Sequence, residues 1–411
     1  MEKDQSNDER VVFLENPSIA LEFPYNVVMS LFAPGNVRST DAQFQSFLRF
    51  KNEFDPVADR LAECMHRDGK AVWEMFNHAL EHGIDTVVNP PSELVEFFRE
   101  VDRVPYWLDY TRLDSATDSI AMVGDEALPI FVAGLALSYA APDANEVLIR
   151  SGDLHKKAGK RAVETLAWYN EVTAPAGLSR FGAGLKACVR IRLVHAHMRR
   201  AMNRREDWDR TLLGNPIHQC IYVATIIPFS LASSLGALAL GHVDILSSKT
   251  RGDIVHLWRY IGYLVGVHPE LLPADEPDLW RLVWLQMHDA YKMDHITPML
   301  GGALFGALPE ILGEDESTFS GMMTLKIKRS YYGNLARIIL GNRLADALSF
   351  PKYSIGIVMI AATFLKNASV NLVAKLVPGG RELVRRRKTR KRKIIMSSII
   401  DRTNADLGFA K

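Results

Sequence analysis

The sequence has few cysteines, and their positions exclude several kinds of site. Cys64, Cys188 and Cys220 are the three cysteines among 411 residues, and none lies at a CxxC or other metal-ligand spacing. This pattern argues against a disulfide framework and against a structural zinc site. The sequence also lacks a P-loop, a GxSxG elbow, an HExxH pair and a GxGxxG turn after a strand. Nucleotide-driven and hydrolytic chemistry therefore have no supporting motif.

Positive charge is scarce in most of the chain and concentrated at its C-terminal end. Residues 381–411 carry 11 Lys and Arg against 3 Asp and Glu, whereas residues 1–380 carry 38 against 45. A net-negative body argues against a main nucleic-acid-binding domain, which needs a basic face. The first ten residues are acidic and polar, unlike the basic and then apolar start of a signal peptide. We therefore expect a cytoplasmic protein, peripheral to membranes if the basic segment binds them.

Only one long stretch, residues 211–243, lacks charged residues altogether. About 20 apolar residues are enough to cross a bilayer. However, Pro216 and Pro228 are expected to break the run, and polar residues occur throughout it. We interpret the stretch as buried helices, with membrane embedding as the alternative. The apolar residues 354–365 are expected to end at Lys366, which leaves them too short to span.

The residue pattern indicates an all-α fold. Apolar residues recur at spacings of three and four through most of the chain, and the alternation typical of strands is scarce. Helix start signals accompany this pattern, such as Ser92 after Pro91 and the segment 275–277. We predict an N-terminal extension over residues 1–40, a single helical domain over 41–350, and a C-terminal apolar helix with a basic tail over 351–411.

The first pattern that carries chemistry is a helix expected to begin near Lys160. Arg161 and Thr165 are four residues apart and therefore share a face, with Glu164 beside them. A guanidinium, a carboxylate and a hydroxyl thus come within reach of one spot. The alternative is a solvated, salt-bridged helix face.

His195 lies on a predicted helix whose neighbouring residues at that point are apolar: Ile191, Leu193, Val194 and Met198. A neutral imidazole in an apolar collar is what an axial haem ligand requires, although a buried histidine with no ligand is the more common case. His197 points about 200° away around the helix, so we do not expect it to bind the same metal. Arg192 and Arg199, with Arg190 and Arg200, are candidate partners for haem propionates.

The order of several sequence segments resembles that of one oxygenase family. The segments are SYAAPDANEVLIRSGDL (138–154), the R-x-x-x-T pair of Arg161 and Thr165, a glycine-rich turn (177–184), VRIRLVHA (189–196), NPIHQ (215–219), WRYIG (258–262) and GVHPELLP (266–273). Together they resemble the family typified by bacterial rubber oxygenases, or latex-clearing proteins, and the fungal oxygenase of the mycophenolic acid pathway. The resemblance covers residues 90–345 in arrangement and is specific over 137–270.

The resemblance implies a globin-like helical fold that holds one haem b, with His195 as the proximal ligand of the iron. It also implies that Arg161 and Thr165 line the distal side. Rubber oxygenases carry a lysine immediately before this threonine, where the present sequence has Glu164. A carboxylate there would act as a base or repel a superoxide-like species. The family's P-I-N-Q stretch corresponds to PIHQ at 216–219, which implies a second titratable group, His218, near the pocket.

The chemistry that the resemblance implies is O2-dependent oxidation of a lipophilic small molecule, with cleavage of an isoprenoid double bond as one form of it. Glu164 or Glu146 is the candidate base for an allylic proton. Rubber oxygenases are typically secreted, so the start of this chain argues against rubber itself as the substrate. Two alternatives stay open. One is a non-catalytic haem-binding sensor or carrier, and the other is a membrane-peripheral helical adaptor without haem.

A second group of metal-ligand residue types occurs at His288, Asp289, Asp294 and His295. The seven-residue separation of the two histidines places these groups on different helical turns, so they do not close a ligand sphere. We expect supporting or solvated roles for them.

The segment 381–393 contains nine basic residues and one acidic residue. Such a run is usually a mobile, solvated tail, and it can also bind anionic lipid headgroups or nucleic acid. Because the preceding residues 355–377 are apolar, we expect lipid rather than nucleic acid as the partner.

Overall fold

The computed structural model describes residues 12–33, 35–152, 154–352, 354–403 and 405. Helices account for most of these residues, and no β-strand occurs among them. The one β-type contact in the described part is an antiparallel bridge between Phe13 and Thr40. The predicted all-α fold is confirmed. Part of the predicted N-terminal extension, residues 1–11, lies outside the described residues.

The helices are numbered in chain order. They are α1 (Tyr25–Phe32), α2 (Asp41–Leu48), α3 (Pro56–Asp68), α4 (Lys70–His82), α5 (Ser92–Asp102), α6 (Tyr110–Ala121), α7 (Ala127–Ser138), α8 (Pro142–Arg150), α9 (Leu154–Val172), α10 (Ala183–Asn203), α11 (Arg210–Leu213), α12 (Gln219–Ala239), α13 (Ser248–Val265), α14 (Glu276–Asp289), α15 (Thr297–Gly306), α16 (Leu308–Leu312), α17 (Phe319–Ala347), α18 (Ser354–Leu376) and α19 (Gly380–Thr403).

Local sequence signals explain several helix ends. Asp275 accepts a hydrogen bond from the backbone N–H of Asp278 and so caps α14, as predicted. Asp55 caps α3 in the same way through Ala58, with Pro56 at the first helical position. An aspartate followed by apolar residues at helical spacing also predicts a cap at Asp253, but Asp253 lies inside α13, where its carboxylate pairs with Arg112.

The centre of the core is an aromatic cluster between α7, α9, α12 and α13. Phe229 of α12 stacks between Phe131 of α7 and Trp258 of α13, with ring centroids 5.6 and 5.8 Å apart. Tyr169 of α9 completes the cluster, and its hydroxyl lies 2.7 Å from the Ser233 hydroxyl of α12. The helix that carries the candidate distal residues is therefore fixed directly to the core.

The uncharged stretch 211–243 forms a core helix. Helix α12 is long and apolar enough to cross a membrane, but 81% of its apolar window is buried inside the protein. The buried-helix interpretation is thus confirmed. Pro228 lies inside α12 and does not end it, contrary to our expectation. Pro216 precedes the helix.

Helix α18 contradicts the expected stop at Lys366. It continues for 23 residues through that lysine, whose ammonium group lies 3.0 Å from a carboxylate oxygen of Glu126. The charge is thereby compensated without interrupting the helix. The apolar window of α18 is 22% buried, which makes it the second helix in the described residues that is long and apolar enough to cross a membrane.

The basic segment 381–393 is part of helix α19 and not a mobile tail. Helix α19 packs on the body, where the Arg392 guanidinium lies over the Tyr169 ring and donates to the Thr173 hydroxyl at 2.7 Å. Lys391 pairs with Asp125 at 2.7 Å. Carboxylates of the body thus attract this segment and fix it in place. The proposed division at residues 40 and 350 stays a prediction.

Candidate functional site

Helices α9 and α10 pack against each other after the glycine-rich turn between them. Gly184 lies at their contact, where an added Cβ would come within 2.8 Å of the Val172 Cα atom. Only glycine permits this close approach of the two backbones. His195 follows Gly184 by 11 residues, or about three helical turns, and therefore lies on the same face of α10. This face of α10 thus begins against the C-terminal end of α9 and carries His195 three turns later.

The His195 imidazole is held as a neutral ring. Its Nδ1 atom is buried and has no hydrogen-bond partner among the described residues. Burial, with a smaller contribution from the nearby charge of Arg199, lowers the pKa of His195 to about 4. The ring meets Tyr222 of α12 edge-on, with centroids 5.3 Å apart. A neutral imidazole with an unpartnered nitrogen has the donor that a metal centre requires.

The three candidate distal residues lie on α9, and all are partly buried. The Thr165 hydroxyl donates to the backbone carbonyl of Arg161 at 2.9 Å. The Arg161 guanidinium donates to the Ser151 hydroxyl at 3.2 Å, and the Glu164 carboxylate lies 4.0 Å from the Lys160 ammonium. Helix α9 begins at Leu154, earlier than the expected start near Lys160. These side chains therefore belong neither to the core nor to a fully solvated face.

The donor set fits a haem better than a bare metal ion. A bare ion needs several protein ligands, and the described residues contain no group of three or more His, Cys, Asp or Glu that could hold one. A haem needs one axial protein ligand, because its porphyrin supplies the other donors. His195 provides one neutral imidazole with a buried, unpartnered nitrogen. His197, His256 and His288 share this state, so the family motif around His195 is what distinguishes it.

Arg192 and Arg199, the candidate propionate partners, are already paired with carboxylates. The Arg192 guanidinium contacts both oxygens of Asp55, at 2.6 and 2.9 Å, and Glu100 at 2.6 Å. Arg199 donates from Nε and Nη2 to Asp59, while its Nη1 faces the Tyr222 hydroxyl at 3.1 Å. The structure thus gives both arginines a part in helix packing. Their role as partners of the haem propionates stays a prediction. It would require each arginine to share or release its present carboxylate partners.

These pairs belong to a row of contacts that joins α3 to α10. Asp55, Asp59 and Glu63 recur every four residues and pair with Arg192, Arg199 and Arg200, respectively. Burial opposes ionisation of Asp55, but the adjacent Arg192 guanidinium outweighs it and lowers the pKa of that carboxyl group. The acidic spacing is visible in the sequence and was the signal that could have revealed these partners.

His197 lies on another side of α10, as predicted. Its ring stacks on Trp73 of α4, with centroids 5.2 Å apart and planes 16° from parallel. The two histidines of the HAH segment are therefore packed against different helices, α12 for His195 and α4 for His197. His197 does not share a ligand position with His195.

A buried polar cluster, which the sequence did not reveal, joins three of the motifs. The Lys51 ammonium lies 2.9 Å from Asp143 and 2.8 Å from Asp289. The His218 Nε2 atom lies 3.2 Å from the same Asp143 carboxylate, and its Nδ1 accepts from the Ile221 N–H at the start of α12. The histidine of the NPIHQ segment thus caps the helix that carries Tyr222. Its contact with His195 is indirect, through that helix.

The H-D-x4-D-H residues are separated, as predicted, and serve different contacts. Asp289 belongs to the Lys51 cluster, so it is neither solvated nor next to His195, the candidate haem ligand. Asp294 accepts from the Thr297 N–H and hydroxyl, His288 packs between Phe44 and Trp284, and His295 is exposed. Glu146, the other candidate base, pairs with Arg150 at 2.8 Å.

Two narrow apolar cavities lie between α12, α13 and α14 in the described part of the chain. Their volumes are about 30 and 10 Å³, and both are lined by Ser230, Val255 and Leu279. Such spaces hold about one water molecule. His195 and the three α9 residues do not line them, so these cavities do not contribute to the candidate site.

Known proteins resemble this chain in both sequence and fold. The family described as ER-bound oxygenase mpaB/B′/rubber oxygenase, catalytic domain, matches residues 120–362. A rubber oxygenase of Streptomyces sp. (strain K30) is 23% identical over 285 residues, which is 68% of this chain and 64% of that relative. The alignment thus spans less than two thirds of the relative's length. The structure of latex clearing protein LCP in the closed state superposes with a TM-score of 0.61 at 20% identity, over 83% of this chain and 91% of that one. At this identity the superposition shows a common fold.

Proposed function

The chain belongs to the mpaB/B′ and rubber oxygenase family, as its motifs predicted, and on this premise we propose that it is a haem-dependent oxygenase acting on a lipophilic small molecule. The observation that carries the proposal is the state of His195. Its imidazole is neutral, has an unpartnered buried nitrogen and packs edge-on against Tyr222 of α12. The motif that resembles the family's proximal ligand therefore has the donor that haem requires.

His195 would hold the haem. Tyr222 and Arg199 would fix the orientation of the His195 imidazole ring. Tyr222 contacts the imidazole edge-on and also accepts a hydrogen bond from Arg199. Arg199 is in turn bound to Asp59. Bound haem supplies the oxygen and one-electron chemistry that amino-acid side chains lack. The surrounding residues contribute orientation and electrostatics.

Arg161 and Thr165 would supply the polar groups opposite His195. The Thr165 hydroxyl is bonded within its own helix, so it can exchange that carbonyl for an external acceptor by rotating about one side-chain bond. The Arg161 guanidinium uses one of its donors on Ser151, and a guanidinium carries five. Both can therefore orient a polar oxygen atom by hydrogen bonding.

Glu164 is the proposed base for an allylic proton. Its carboxylate is partly buried and lies 4.0 Å from the Lys160 ammonium on the same helix as Arg161 and Thr165. Glu146 lies in an ion pair with Arg150 on another helix, α8, so we prefer Glu164. An unsaturated, isoprenoid-type hydrocarbon is the substrate class that matches such a proton removal.

An absorption spectrum and an oxygen electrode test the proposal. We expect the purified full-length protein to show a haem Soret band and to consume O2 with at least one member of a panel of isoprenoids of increasing length. Thr165→Ala should retain the haem and lose turnover, whereas Ser179→Ala, in the exposed turn after α9, should leave both unchanged. A protein without haem would contradict the proposal and favour the adaptor. Haem without O2 consumption would favour the sensor or carrier, in which Glu164 replaces the family's lysine.

A further inference from the structure

Helix α18 has its polar and apolar faces reversed relative to an ordinary surface helix. Its buried positions are Gly356, Ile360, Asn367, Asn371 and Ala374, which recur at spacings of three, four and seven and form one inward stripe. Two of these five residues are asparagines and two are small. A helix on the surface of a soluble protein normally presents apolar residues to the core and polar residues to solvent.

The inward stripe is fixed to the body by polar contacts and close packing. The Asn367 amide donates to a carboxylate oxygen of Glu126 and to the Leu240 carbonyl, both at 2.8 Å. The Asn371 amide donates to the Gly241 carbonyl at 3.4 Å. Gly356 lies so close to α17 that an added Cβ would come within 2.2 Å of the Ser330 carbonyl oxygen. These contacts therefore fix the rotation of α18 about its own axis and determine which of its residues face outward.

The outward face carries large apolar residues from one end of the helix to the other, interrupted by the exposed Lys366, Ser369 and Lys375. Leu376 is 74% exposed, Val358 67% and Leu365 66%. The other exposed large apolar residues of the helix are Ile355, Ile357, Phe364, Val370, Leu372 and Val373. Soluble monomers rarely expose an apolar patch of this extent without a partner. Small and amide residues inside with aliphatic residues outside is the arrangement of helices that face lipid.

Cations on the next helix, α19, add positive charge beside this apolar surface. Of the nine basic residues in 381–393, five pair with carboxylates and Arg392 packs over Tyr169. Arg387, Arg390 and Lys393 are exposed and have no ion-pair partner among the described residues. Leu383, Arg387, Arg390 and Ile394 recur at spacings of four, three and four, so they share one exposed face of α19. This face combines aliphatic side chains with cations that can meet lipid phosphates.

We propose that the outward faces of α18 and α19 form a docking surface for an anionic lipid bilayer, with α18 lying in the plane of the interface. We favour an orientation in the plane of the interface over a helix that crosses the membrane, because α18 contacts the body of the protein along its full length. A crossing would carry Glu126 and its polar contacts into hydrocarbon, at a large cost in free energy. Burial of the aliphatic face supplies the affinity, and the free cations add a preference for anionic headgroups. The proposal does not depend on haem.

Vesicle flotation of the full-length protein tests the proposal. The vesicles contain phosphatidylcholine alone or with phosphatidylserine. We expect the double variant Leu365→Glu/Leu372→Glu to lose about tenfold or more in partitioning to both kinds of vesicle. The matched control Leu31→Glu/Leu212→Glu changes residues that are 68% and 73% exposed elsewhere and should bind like the wild type. Circular dichroism verifies that each variant is folded.

A second variant tests the charge component. Arg387→Gln/Arg390→Gln/Lys393→Gln should lower binding to anionic vesicles to the level of neutral vesicles and remove the salt dependence. The control Lys70→Gln/Lys292→Gln/Arg204→Gln, on exposed positions elsewhere, should not. Three results would overturn the proposal. The first is unchanged binding by the α18 variant. The second is resistance of the bound protein to transfer onto fresh vesicles, which would indicate a helix that crosses the membrane. The third is a dimer that the α18 variant dissociates, which would indicate that a second copy of the chain covers this surface.

Discussion

Helices α12 and α18 have similar length and hydropathy but opposite surroundings. Their apolar segments are about equally hydrophobic, yet 81% of the first is buried and only 22% of the second. Helix α12 carries aromatic and aliphatic residues on all sides and lies in the core, with Tyr222 beside His195. Helix α18 buries one narrow polar stripe. Hydropathy alone therefore does not separate a core helix from a lipid-facing one.

The position of the polar residues does separate them. On α12 the Ser233 hydroxyl bonds to Tyr169 inside the aromatic cluster, so a polar atom is satisfied within an otherwise apolar contact. On α18 the two asparagines hydrogen-bond to the carbonyls of Leu240 and Gly241, so polar atoms lie in the contact with the body itself. Helix α12 thus forms part of the protein interior. Helix α18 forms an exposed apolar surface that is suited to binding lipophilic molecules.

The largest difference between the two helices should appear on truncation of an apolar side chain. Phe229→Ala on α12 removes a fully buried ring from between Phe131 and Trp258 and should lower the free energy of unfolding by about 3–5 kcal/mol. Leu365→Ala on α18 should change it by less than about 0.5 kcal/mol, because the side chain is 66% exposed. Urea unfolding measures both. Equal losses would mean that α18 is a core helix.

An intermediate effect is expected at Glu126, which connects α18 and α19 to the body. Its carboxylate meets His242 at 2.9 Å, Asn367 at 2.8 Å and Lys366 at 3.0 Å. Burial opposes ionisation, but the His242 hydrogen bond and the charge of Lys388 outweigh it and lower the pKa of Glu126 from 4.5 to about 2. Glu126→Gln should cost about 2 kcal/mol at pH 7, the scale of a hydrogen bond to a charged group.

The same group gives a pH dependence with a defined sign. Since its pKa is lower in the folded than in the unfolded protein, Glu126 stabilises the fold above pH 4.5 and loses that contribution as the pH falls toward 2. The difference in thermal stability between the wild type and Glu126→Gln should therefore become smaller as the pH is lowered from 7 to 3. A constant difference across this range would contradict the assignment.

The smallest effect is expected at Lys366. Its ammonium pairs with Glu126, but its side chain is 62% exposed, so solvent screens the pair. Lys366→Met should change the free energy of unfolding by about 0.5 kcal/mol or less. Asn367→Leu, one residue further on the buried stripe, should cost more. A larger loss at Lys366 than at Asn367 would show that charge, and not the polar stripe, holds α18 in place.

Much of the candidate site was visible in the sequence because its elements are local. The spacing of Arg161 and Thr165 places them on one helix face, and the RLVHA context, through its resemblance to the family, makes His195 the candidate haem ligand. The burial of α12 followed from its polar residues. Each of these inferences uses residues within one or two helices, where periodicity is informative.

The remainder depends on contacts between distant parts of the chain. Arg192 and Arg199 pair with Asp55 and Asp59, 137 and 140 residues away, so the sequence near the arginines does not show their partners, and the acidic spacing in α3 is the one local signal of them. Lys366 was expected to end a helix because its partner Glu126, 240 residues earlier, was unknown. Local patterns identify helices and motifs, whereas the pairing of charges is fixed only when helices pack.

The haem content of His195→Ala, compared with His197→Ala, tests the central claim most directly. The two histidines lie two residues apart on α10, but the His195 ring packs against Tyr222 of α12, whereas His197 stacks on Trp73 of α4. We predict that the wild type and His197→Ala contain one haem per chain and that His195→Ala contains none, with added imidazole restoring a Soret band. A full, unshifted Soret band in purified His195→Ala would contradict the account.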